Sequence, residues 1–116
     1  MNIYHIWASL KPGVMDLEFV EAVNAFLGTL QQDGALESFR ISRRKLGLGM
    51  EELLDFHIMV EFRDMEQFDR TFGRVAARSE PIETLHHAVN SRVARVKFAL
   101  YRDFPDQVRT HGEEKF

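Results

Sequence analysis

Three of the chain's five histidines, His5, His57 and His86, fall where they could carry chemistry. Near pH 7 an imidazole can take or give a proton, and it is also a common metal ligand. Set opposite each other on adjacent central strands, His5 and His57 would hold their Cβ atoms about 5 Å apart. His86 sits on the apolar face of a late helix and could point at the same region. Such a cluster could abstract a proton from an activated phenol or ketone. Trp7, Met59 and Tyr101 share the histidine face and would form a wall for a flat substrate. The plainer alternative is three half-buried histidines bonded to backbone or water, with Trp7 filling the interior between two sheets.

Metal chemistry has little support. His57 and Glu61 share a strand face, but four residues of strand span about 13 Å. No His-x-His or His-Glu-x-x-His spacing occurs. With no cysteine, disulfides, thiolate nucleophiles and cysteine-held zinc are excluded. No metal and no resident cofactor are expected. The basic run Arg40, Arg43, Arg44 and Lys45 could hold an anion, but charges near a sheet edge also block unwanted strand pairing. A net charge of -3 favours that structural role and argues against a nucleic-acid partner. Gly47 and Gly49 lack the strand–helix context of a phosphate loop. Glu61, Arg95 and Lys97 could meet across the sheet or a dimer axis and fix register.

The elements that must position these residues are legible from periodicity. Met1 to Leu10 alternate as a strand ended by Lys11-Pro12-Gly13. Tyr4, Ile6, Ala8 and Leu10 point one way; Ile3, His5, Trp7 and Ser9 point the other. Neither face is plainly polar, so both need cover. Asp16 reads as the N-cap of a helix whose stripe is Phe19, Val20, Val23, Phe26, Leu27 and Leu30, stopped at Asp33-Gly34. A second strand covers Leu36 to Lys45, and a loop with one helical turn spans Met50 to Leu54. Phe56 to Arg63 form a third strand. Asp64, with Gln67 three residues on, opens a helix that buries Phe68, Phe72, Val75 and Ala76. Ser79-Glu80-Pro81 opens a short helix with Ile82, Leu85, His86 and Val89 on one face. The last strand runs from Val93 to Arg102. Residues 1–106 are expected to form one domain and 107–116 a polar tail.

Strand, helix, strand, strand, helix pair, strand is the ferredoxin-like α+β order βαββαβ. It implies a four-stranded antiparallel sheet with helices on one face and the first and third strands in the middle. A chain of 116 residues, 45% of them hydrophobic, can build one such core but cannot cover the second face, so a homodimer through the sheet face is expected. No secretion signal and no run of about 20 apolar residues is present, so the expectation is a cytoplasmic protein with no membrane partner.

Several stretches carry a resemblance. Met1-Asn2-Ile3-Tyr4-His5-Ile6-Trp7, Leu10-Lys11-Pro12-Gly13, Arg43-Arg44-Lys45-Leu46-Gly47, His87-Ala88-Val89-Asn90-Ser91 and Phe98 to Asp106 resemble the dimeric α+β-barrel superfamily. In that superfamily two ferredoxin-like subunits pack sheet to sheet. More narrowly, these stretches resemble a bacterial family of uncharacterised proteins. His5 and the segment His57 to Phe62 are similar to the stress-responsive α/β-barrel proteins. The resemblance implies a dimeric barrel protein binding a small hydrophobic or aromatic molecule. It also brings two alternatives: a cofactor-independent enzyme of cyclase, isomerase or monooxygenase type using pocket histidines, or a haem-handling protein. The cyclase-like relatives use a histidine in a His-Pro-rich segment before the last strand; Pro81 to His87 has no His-Pro pair.

Overall fold

Alternation at period two sets the strands, and their pairing sets everything the sheet presents. The structure, a computed structural model, describes residues 1–106 and residue 111. The expected tail, 107–116, falls almost wholly outside the described residues. The elements are β1 (Asn2–Leu10), α1 (Asp16–Gln32), β2 (Ser38–Arg43), β3 (Phe56–Phe62), α2 (Met65–Ala76), α3 (Ile82–Asn90) and β4 (Val93–Arg102). The antiparallel sheet has the order β2-β3-β1-β4, so β1 and β3 are central, as the ferredoxin-like reading expects.

One side of the sheet carries the helices and the core. Phe19, Val23, Phe26, Leu27 and Leu30 from α1 bury against Ala8, Phe56, Ile58, Val60 and Phe62, and Ile82 of α3 closes the cluster. Phe19 meets Phe56 edge-on with ring centroids 5.0 Å apart. Burying such side chains contributes about 1.5–3 kcal/mol each.

Two helix details differ from the sequence expectation. Met15, not Asp16, is the N-cap of α1, and its N–H donates to Glu18 Oε1 at 3.4 Å. Asp16 is drawn instead into an ion pair with Arg43 at the end of β2. In α2 the fully buried residues are Gln67 and Thr71, whereas Phe72 and Ala76 are exposed. Polar bonding turns the helix. Gln67 Nε2 donates to the Gly34 carbonyl at 3.0 Å and Thr71 Oγ1 to the Ala35 carbonyl at 2.5 Å, so this face is held on the α1–β2 connection. Asp64 caps α2 as expected, accepting from the Gln67 N–H at 2.8 Å.

β4 is an edge strand. Its helix-side residues Val96, Phe98 and Leu100 stay exposed, Phe98 at 56%.

Candidate functional site

The register of β1 divides the candidate residues between two sides of the sheet. On the side without helices, His5 faces Met59 on β3 and Ala99 on β4, while Trp7 faces His57 and Lys97. His5 and His57 are therefore diagonal neighbours rather than direct partners. Long flat side chains bridge that diagonal. His5 Nδ1 and His57 Nε2 lie 2.9 Å apart, a hydrogen bond in which one ring donates and the other accepts. The rings of His57 and Trp7 stack at 4.7 Å and 7°, those of His5 and His57 at 5.2 Å and 17°. Tyr101, opposite Ile3, presents its edge to His5 at 5.0 Å. Met59 faces Arg40 of β2. Burial pushes both histidines below the ordinary imidazole value, and the neighbouring His5 charge lowers His57 further.

The β2–β3 connection leans over one end of this face. Lys97 Nζ donates to the Glu52 carbonyl at 2.6 Å. Arg44 Nη2 donates to the carbonyls of Met50, at 2.9 Å, and Leu53, clamping the loop. With Arg43 paired to Asp16, two cations of the basic run serve local structure.

His86 lies on the other side. Strand alternation sends Tyr4 and Ile6 toward the helices and His5 and Trp7 away, and α3 packs on the helix-bearing side. The expectation that His86 could join His5 and His57 is corrected accordingly: the sheet separates them. His86 packs on Phe26, ring centroids 5.2 Å apart, and lines a cavity of about 620 Å³ between the sheet, α1, α2 and α3.

This cavity has two chemically distinct parts. One is aromatic: Tyr4 stacks on Phe98 at 5.6 Å and meets Phe72 edge-on at 5.1 Å. The other is polar, from the α2–α3 corner: Arg78, Glu83, His86, His87 and Asn90. Burial raises the Tyr4 hydroxyl above its usual value, so at neutral pH it is a neutral donor or acceptor. Sequence reasoning missed Tyr4, Arg78 and Glu83. A phenol placed among Ile6, Ala8 and Leu10 in the alternation was the available signal for Tyr4; Arg78 and Glu83 gave none. Among the described residues no group of three His, Asp or Glu is arranged to hold a metal ion, and no helix is long and apolar enough to cross a membrane.

A four-stranded antiparallel sheet backed by helices on one side defines a ferredoxin-like α+β fold. The chain belongs to a family of unknown function, DUF6614, whose model matches residues 1–116. No curated protein matches it by sequence. Among solved structures it is similar to the Arabidopsis thaliana protein At3g17210, at 15% identity and a TM-score of 0.68, covering 95% of this chain and 100% of that one. A dimeric ferredoxin-like protein of unknown function from Jannaschia sp. CCS1 shares 14% identity with a TM-score of 0.65, covering 89% of this chain and 100% of that one. Hydroxynitrile lyase from Passiflora edulis shares 12% identity with a TM-score of 0.66, covering 86% of this chain and 90% of that one. At these identities the likeness is one of fold.

Proposed function

We propose that each chain binds a small, largely apolar, aromatic molecule in the helix-side cavity, and that two chains pair through their open sheet faces. The observation that carries the first part is the cavity of about 620 Å³, within the range of about 300–1,000 Å³ typical of ligand sites. Its aromatic wall suits a flat body, and the α3 end offers hydrogen bonds to a polar substituent. His86 is the group positioned to exchange a proton with that substituent, so acid/base chemistry on the ligand is the enzyme form of this reading. That one fold neighbour is a hydroxynitrile lyase is compatible with it. Pairing is supported by Trp7 and Met59, only half-buried in one chain, and by the dimeric state of the Jannaschia protein.

A second reading is favoured by the 2.9 Å contact between His5 and His57. In it, that pair is the acid/base couple, with Trp7, Met59 and Tyr101 as the wall and the ligand held between two sheets.

Native mass spectrometry of the purified protein, followed by calorimetric titration with small phenols and aromatic ketones, tests both. Ala76→Trp fills the cavity mouth. Loss of binding in Ala76→Trp, with binding kept in His5→Gln/His57→Gln, is the expected result. The opposite pattern favours the second reading, and no binding by any of these probes defeats both.

A further inference from the structure

We propose that the His5–His57 pair makes pairing of two chains through the open sheet face sensitive to pH: the dimer holds while both rings are neutral and separates as they take up protons. This rests on the sheet-to-sheet dimer proposed above.

The geometry restricts the proton count. At 2.9 Å only one hydrogen fits between His5 Nδ1 and His57 Nε2. One further proton can sit on the outer nitrogen of the donor ring, keeping the bond but creating a cation. A second would aim two N–H groups at each other, and the rings must part. Enclosing even the first cation between two sheets strips it of water.

The neighbours do not neutralise it. From β2, Arg40 faces Met59; from β4, Arg95 and Lys97 share the histidine face along with Tyr101. Among the described strand residues, the carboxylate on the same face is Glu61 of β3, opposite Ile3 and Ser38. Glu52 belongs to the connection that takes Lys97, through its backbone carbonyl. A partner copy brings the same set. The face is already basic, so added protons oppose association by like charge as well as by burial. The Trp7 stack on His57 exists in the single chain and cancels from the comparison.

The sign follows from linkage. Burial lowers both histidines, and a covering sheet buries them more, so the dimer binds fewer protons than two separate chains. Association is therefore complete above the free chain's own His5 and His57 values, which burial already places below the ordinary imidazole value of about 6.5, and weakens as pH falls through them. One excluded proton per chain, two per dimer, raises the dissociation constant about 100-fold per pH unit.

Sedimentation equilibrium of the full chain between about pH 8 and about pH 5, wild type against His5→Gln/His57→Gln, is the test. The expected result is a dimer at the upper end that dissociates with the stated slope, and a double variant whose dissociation constant stays flat. A flat wild-type dimer, or an equally steep double variant, overturns the proposal. A wild-type chain that is monomeric throughout removes the dimer itself, a failure distinct from a dimer insensitive to pH. Trp7 is the chain's one tryptophan, so its emission gives an independent readout. It is expected to titrate in the wild type and not in the double variant, and an emission that ignores pH below 6.5 in the wild type also counts against the proposal.

Discussion

Gln67 shows how far a single side chain can redirect an element. Its exposure is 2%. Its carboxamide accepts from the Arg63 N–H at 2.7 Å and donates to the Gly34 carbonyl at 3.0 Å, while its own N–H serves Asp64. Read as sequence, Gln67 was only the third residue of a capping box. Nothing in a local pattern reveals that its amide reaches a carbonyl 33 residues away. Replacing it by leucine keeps the volume and removes both side-chain bonds. The expected cost is about 2 kcal/mol, because two backbone groups lose partners. Urea denaturation checks this; a midpoint unchanged from wild type would mean that water replaces both bonds. Histidine placement follows the same rule. Alternation along each strand was legible, but whether His57 shares the face of His5 was not, nor was their diagonal pairing, since both depend on the register between residues 52 positions apart.

At the scale of elements, strands were legible and helix faces were less so. The period of two in β1, β3 and β4 follows from backbone geometry, whereas the buried face of α2 depends on what it meets. Phe72, placed in the core from its spacing, is 39% exposed because Gln67 and Thr71 take the inner positions. The ends of α2 give two predictions. At the N-terminus, the Gln67 N–H bonding to Asp64 holds that carboxyl below its usual value. A depressed carboxyl contributes stability that is present above the unfolded value near pH 4 and is lost as pH falls through the folded value. Asp64→Ala is therefore expected to lower Tm at neutral pH, with the difference from wild type closing as pH drops below about 4. A gap of constant size would assign the effect to something other than the ionised cap. At the C-terminus, Arg78 follows the Ala77 cap with φ +54, the left-handed conformation that glycine adopts freely. Arg78→Gly is expected to stabilise the fold by about 1 kcal/mol while removing a polar group from the cavity rim. Thermal melts and ligand titrations should thus move in opposite directions.

Across the whole molecule, the ferredoxin-like order could be deduced because every connection but that between β2 and β3 is short and the crossovers leave few topologies. The helix-side cavity could not be, because it is a space left where α2 and α3 fail to close over β4, and no residue encodes it alone. The uncovered second face of the sheet was legible, since Trp7 and Ile3 stand on a strand face with no helix to meet. Its consequence for stability is a matter of mass action. A chain that folds by itself but gains from pairing melts higher as its concentration rises, by on the order of 2.7 kcal/mol at 100 times the dissociation constant. Trp7→Glu puts a charge at the centre of that face. Because Trp7 is only half-buried in the single chain, the fold should survive the change. The expected outcome is a wild-type Tm that climbs with concentration at about pH 8, where His5 and His57 are neutral, against a Trp7→Glu Tm that does not. Equal concentration dependence in the two proteins would place the pairing surface elsewhere than the face that carries Trp7.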